Sequence, residues 1–127
     1  MFSRVDFSSE TKEIRNGLLI RVQGEIDLAT VHRFRSCLEK AISRNRHIVV
    51  DLSDISFLDL KGIGALEEAH RASHAQKHHL IVVGSHPIVD RVIQITELPK
   101  TVPVFHSHEE ALKSIQAVEV GGVTRLT

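Results

Sequence analysis

The stretch His47-Ile48-Val49-Val50-Asp51-Leu52 decides the fold. It is a short β-branched run and reads as a buried central strand, of the kind found in parallel sheets. The segment Ser53 to Lys61 reads as a loop after it. A helix is expected from about Gly62 to Gln76, with Ile63, Leu66, Ala69 and Ala72/Ser73 on its apolar face. Leu80 to Val83 is a second buried strand, closed by Gly84. Upstream, Val31, Phe34, Leu38, Ala41 and Ile42 form one apolar helical stripe, with Asp27 or Thr30 placed to cap it. Cys37 lies beside that stripe and reads as a small buried hydrophobe.

The N-terminal part reads as a hairpin. Leu18 to Gln23 is apolar and ends at Gly24, Phe7 to Ile14 is a weaker strand, and Asn16-Gly17 between them is a turn pair. Ser85 is placed to cap a third helix, with Pro87 in its first turn and Ile88, Val89, Val92 and Ile93 on its buried side. Val102 to Phe105 reads as a last strand. Ser107 and Glu110 have capping-box spacing before a fourth helix carrying Ala111, Leu112 and Ile115. The order is β-β-α-β-α-β-α-β-α. Three strand–helix–strand crossovers imply parallel pairing, added to an antiparallel opening hairpin. The expected fold is a single α/β domain over residues 1–117, a mixed sheet with about four packed helices. Residues 118–127, which include Gly121-Gly122, are expected to form a flexible tail.

Composition narrows the function. The 127 residues are 42% hydrophobic and 25% charged, so the chain is not of the disordered class. Sixteen Lys and Arg balance sixteen Asp and Glu. No global positive field exists to hold nucleic acid or an anionic membrane. Trp and Tyr are absent, which leaves few stacking surfaces for bases. The longest apolar runs are about five residues, against the roughly 20 that span a bilayer. Residues 1–10 have no signal-peptide core. The single cysteine excludes an intramolecular disulfide and fits a reducing compartment. A cytoplasmic location is expected.

Motifs of catalysis are missing. No glycine-rich run ends in Gly-Lys-Ser/Thr, and no Gly-x-Ser-x-Gly elbow or Cys-x-x-Cys pair is present. Gly62-Ile63-Gly64 lacks the third glycine of a dinucleotide loop. Small residues there would instead let the helix approach the sheet. His70, His74 and His78 recur at i, i+4 and i+8, a spacing able to offer two imidazoles to zinc or nickel. Without further ligands in view they read as a solvated helix flank, and His106 and His108 as surface residues. Neither a cofactor nor a metal is expected, and the chain does not read as an enzyme.

Residues 22–30 (Val-Gln-Gly-Glu-Ile-Asp-Leu-Ala-Thr) and 48–66 resemble the STAS family, the domain of bacterial anti-sigma factor antagonists and of sulfate-transporter tails. Ile48 to Ser53, then Ile55-x-Phe57-Leu58-Asp59, then Gly62-Ile63-Gly64-x-Leu66, follow that family's order. Leu80 to Val83 and Glu110-Ala111-Leu112 continue the match. The resemblance covers roughly residues 5 to 117. It implies a regulator of transcription that acts by partner switching, docking on an anti-sigma factor that is also a serine kinase, or on related STAS-pathway proteins.

In that family the loop reads Asp-Ser-Ser-Gly or Asp-Ser-Thr-Gly, and the hydroxyl residue before the glycine is phosphorylated. Here it reads Asp59-Leu60-Lys61-Gly62, so the resemblance implies a switch position without a phosphate acceptor. A phosphoserine would bring about −1.5 to −2 charge, whereas Lys61 brings +1. Lys61 therefore does not imitate the phosphorylated form. Ser53, Ser56 and Thr30 are the hydroxyls nearby. Asp27 and Asp59 read as caps rather than catalytic acids. The expected partner-binding residues are Asp27, Thr30, Asp59, Leu60, Lys61, Gly62, Ile63 and Gly64. The alternative is a domain that binds a nucleotide or lipid.

Overall fold

The Asn16-Gly17 turn reverses the chain between β1 (Phe7–Ile14) and β2 (Gly17–Ile26), with Asn16 in the left-handed region at φ 69°. The two strands pair antiparallel, Ile14 opposite Gly17 and Phe7 opposite Gly24. This computed structural model describes residues 6–84 and 86–117. The tail expected over residues 118–127 lies outside them, as does Ser85.

After β2 come α1 (Val31–Ile42), β3 (His47–Leu58), α2 (Leu60–Ala75), β4 (Leu80–Val83), α3 (Pro87–Ile95), a short 3₁₀ turn (Leu98–Lys100), β5 (Val104–Phe105) and α4 (His108–Gln116). The strands lie in the order β1-β2-β3-β4-β5, and every pair after the hairpin is parallel. The expected mixed α/β sheet is therefore observed. Alternation along β3 sends Ile48, Val50 and Leu52 into a core built with α1, α2 and α3. Val49 faces the other way, into a smaller cluster with Leu19, Ile81, Val83 and the α4 residues Ala111 and Ile115.

Several boundaries differ from the sequence reading. β2 does not stop at Gly24. Gly24 takes φ 103°, where only glycine is unstrained, and a Cβ there would lie 2.5 Å from the Asp6 carbonyl oxygen. The register with β3 shifts on either side of it, and the strand continues to Ile26. The segment read as a loop after Leu52 is the second half of β3. It pairs with the prolonged β2 and buries Ile55 and Leu58. α2 starts at Leu60, two residues before Gly62, because Asp59 caps it. β5 is shorter than expected, and Val102 is buried in the turn before it. α3 is capped by His86 in place of Ser85, the ring Nδ1 accepting the Ile88 N–H at 3.2 Å. Ser107 caps α4 as expected, accepting the Glu110 N–H at 3.3 Å.

Candidate docking surface

Two chain segments leave neighbouring strands at the C-terminal end of the parallel sheet. Residues 27–30 follow β2, and residues 59–64 follow β3. The Asp59 N–H donates to the Ile26 carbonyl at 2.8 Å and ties them together. The candidate residues therefore come from two segments that meet at one end of the sheet.

Both aspartates are spent on the backbone. Asp27 Oδ1 accepts the N–H groups of Ala29 at 2.9 Å and Thr30 at 3.0 Å. Thr30 is the N-cap residue of α1, but its side chain makes no capping bond to that helix. Its hydroxyl donates to the Glu25 carbonyl at 2.7 Å and accepts the Asp27 N–H at 2.9 Å, and the residue is buried. Thr30 therefore shapes the loop from beneath. Asp59 Oδ1 accepts the Lys61 N–H at 2.8 Å, the capping bond expected of it.

Gly62 and Ile63 are also buried. A Cβ on Gly62 would stand 2.7 Å from Leu58 Cδ1 and 2.8 Å from Ile26 Cγ2, so the first turn of α2 approaches the sheet through this glycine. Gly64 has open space around it and plays no such part. Leu60 points outward, 68% exposed, and Lys61 is exposed beside it. Lys61 forms no ion pair with any described residue.

Two neighbours escaped the sequence reading. Leu28 is 67% exposed and Phe57 is 43% exposed. Leu28 was bracketed by Asp27 and Thr30 and could have been found as an apolar residue inside a polar turn. Phe57 was hidden because its segment read as loop. Leu28 stands in the segment after β2, and Phe57 and Leu60 flank Asp59 in the other, so each of the two segments carries exposed apolar side chains, which suit protein contact.

The other candidate groups lie elsewhere. Ser53 Oγ donates to Asp51 Oδ1 at 2.6 Å, whereas Ser56 is exposed. Cys37 packs against the core. His70 and His74 sit side by side on α2, ring centroids 6.2 Å apart, but His78 leaves the helix and turns its ring to His47 at 5.1 Å. The three-histidine row does not form. No group of three or more His, Cys, Asp or Glu is arranged to hold a metal among the described residues. His108 is not a plain surface residue, since its Nε2 lies 2.9 Å from the buried Asp51 carboxylate.

Residues 8–111 match the STAS domain. The chain belongs to the STAS domain family.

This STAS domain is similar to an anti-sigma F factor antagonist of Paenibacillus polymyxa, with 27% identity over 111 residues, 86% of this chain and 95% of that one. In fold it is similar to an anti-sigma factor antagonist from Mycobacterium paratuberculosis, at TM-score 0.83 and 24% identity, over 91% of this chain and 99% of the other. It also resembles the phosphorylated form of SpoIIAA, a Bacillus cell fate determinant, at TM-score 0.62 and 24% identity, over 84% and 97%. No described helix of this STAS domain is long and apolar enough to cross a membrane.

Proposed function

We propose that this STAS domain is a non-enzymatic, cytoplasmic docking protein of the anti-sigma factor antagonist kind. Its partner is an anti-sigma factor of the serine-kinase type, or another protein of the same pathway. Docking uses the segments 27–30 and 59–64, and no phosphate is accepted at position 61. The supporting observation is the exposed pair Leu28 and Leu60, held by capped backbone beside Lys61, which has no ion pair among the described residues. Backbone rigidity matters because a preformed loop loses little entropy on binding. The likeness to named antagonists supplies the class of partner.

The test mixes the purified chain with the kinase-type anti-sigma factor encoded in the same genome, with and without ATP. Complex formation is expected in both conditions, with no phosphate on residues 59–64 by mass spectrometry. Leu28→Asp and Leu60→Asp should each weaken the complex at least tenfold. Lys61→Ser should gain a phosphate and then lose the complex. An undiminished complex with the aspartate variants would overturn the docking surface.

One observation favours the nucleotide or lipid alternative. A cleft of about 390 Å³ lies between β1 and α1, with Arg33, Lys40, Ser9, Thr11 and Ser36 among its lining residues. Its cations and hydroxyls suit a phosphate group. Calorimetry with nucleotides and anionic lipids tests it.

A further inference from the structure

The base of the sheet, opposite the docking surface, gathers five of the nine histidines. His47 opens β3, His78 and His79 fill the turn before β4, and His70 and His74 lie on the last turns of α2. The His47 ring stacks on His79 with centroids 5.1 Å apart and 28° between planes. It meets His78 edge-on at the same separation.

His47 has a defined job there. Its Nδ1 accepts the backbone N–H of His79 at 2.9 Å. The next bond in the same clasp runs from the Ile48 N–H to the His79 carbonyl at 2.8 Å. A ring nitrogen accepts only while it is unprotonated, so neutral His47 carries its proton on Nε2. Protonation would set an N–H against an N–H.

Among the described residues, no carboxylate pairs with the cluster to welcome that proton. The described salt bridges give His106 a carboxylate at 3.9 Å and His108 one at 2.9 Å, but none reaches His47, His70, His74, His78 or His79. Arg46 adds a further positive charge from the chain before β3, and its own carboxylate, Glu13, is 3.1 Å from it. Lys77 stands exposed in the turn. The buried Nδ1 atoms of His70 and His78 have no hydrogen-bond partner among the described residues. Burial first, then His79, His78 and Arg46, lower the His47 pKa from 6.5 to about 4. Burial first, then His74, His70 and His78, lower that of His79.

We propose that His47 is the trigger of a proton-operated clasp that joins β3 to the turn before β4, closed at neutral pH and released by acid. The sign follows from linkage. A histidine held neutral in the fold contributes its full stability above pH about 6.5 and loses it as pH falls toward 4. The clasped turn is itself bonded to the end of α2, the His78 N–H donating to the Ser73 carbonyl at 2.9 Å, and the clasp does not depend on what docks at the other end of that helix.

The test uses the whole chain, followed by NMR and by chemical denaturation from pH 7.5 to 4. The His47 ring should titrate below pH 5, and exchange of the His79 amide should rise with the same midpoint. His47→Asn keeps an acceptor near the Nδ1 position and has no proton to gain. The folding constant of the wild type, divided by that of this variant, should fall about tenfold between pH 7.5 and 5, allowing for partial solvent screening. His47→Leu removes the acceptor, and its His79 amide should exchange quickly at both pH values. A His47 midpoint at or above 6.5, a His79 amide that ignores the titration, or a ratio that stays flat would each overturn the clasp. The first two are read on the wild type and hold even if neither variant folds.

Discussion

His108 pins the start of α4 to Asp51 on β3, with Nε2 2.9 Å from Oδ2. Asp51 is only 2% exposed. Its other oxygen accepts from the Ser53 backbone N–H at 2.9 Å and from the Ser53 hydroxyl at 2.6 Å. Arg21 approaches Oδ2 at 3.5 Å from half-exposed surface. Ser53 Oγ is 3.3 Å from the same His108 nitrogen that meets Asp51. In a hydrolytic triad the carboxylate and the hydroxyl lie on opposite ring nitrogens, so this arrangement is a fastening and no proton relay. It matters because α4 buries only Ala111 and Ile115 against its face of the sheet.

Asp51→Ala should therefore cost about 2–3 kcal/mol, because Ser53 and His108 lose their common acceptor inside the fold. His108→Ala should cost about 1 kcal/mol, since Ser53 and Arg21 remain on the carboxylate and the histidine is partly solvated. Urea denaturation of both variants measures the difference. A His108→Ala cost equal to that of Asp51→Ala would contradict this account.

Gly62 and Gly64 should respond to alanine with opposite signs. Alanine gains about 1 kcal/mol over glycine inside a helix. At Gly64, with nothing within 4 Å of the new Cβ, that gain should appear as added stability. At Gly62 the Cβ runs into Leu58 and the β-branched Ile26, both buried. Overpacking of this kind costs about 1–3 kcal/mol and should outweigh the propensity gain. Thermal melts of the two variants should move in opposite directions, and a stabilised Gly62→Ala would disprove the close approach.

Much of this architecture is legible in the amino-acid sequence. β1 emerged over residues 7–14 because Asn16-Gly17 fixes the turn and with it the register. The stripe from Val31 to Ile42 became α1 because its period has no competing reading. The second half of β3 was not legible. Ser53 and Asp54 look like loop residues, and only pairing with a strand that bends at Gly24 makes them extended. His86 in place of Ser85 as the α3 cap is a local contest that one residue of spacing decides. His108 was invisible for a different reason, since its partner lies 57 positions earlier, on a strand it meets only in the folded chain. For the proposed docking surface, Asp59, Leu60 and Lys61 are candidates that spacing and the family likeness already offer. Phe57 could not, because its exposure depends on the same prolonged β3.

Asp59→Ala should loosen the first turn of α2. The lost bond is the one from the Lys61 N–H, and removal of such a cap costs about 1 kcal/mol. Asp59→Asn keeps an acceptor oxygen and should cost only a few tenths of that. Hydrogen exchange at the Lys61 amide, compared across the two variants, separates loss of the cap from loss of charge. Equal exchange in both would mean that the carboxylate's charge, rather than its hydrogen bond, holds the turn.

The lone thiol should be inert at ordinary pH. Burial against the core raises the Cys37 pKa from 9.0 to about 11, and neither its hydrogen bond with Ser9 nor the nearby Lys40 charge makes up for it. The thiolate is the reactive form, so maleimide or iodoacetamide should modify the native chain at pH 8 far more slowly than the urea-unfolded chain. The linkage has a definite direction. Between pH 9 and 11 the unfolded chain has given up this proton while the folded chain keeps it, so the thiol's contribution to stability falls as pH rises through that window. Cys37→Ala should remove that part of the alkaline slope and leave stability below pH 8 independent of pH at this site. A native thiol that reacts as fast as the unfolded one at pH 8 would place Cys37 at the surface instead of against the core.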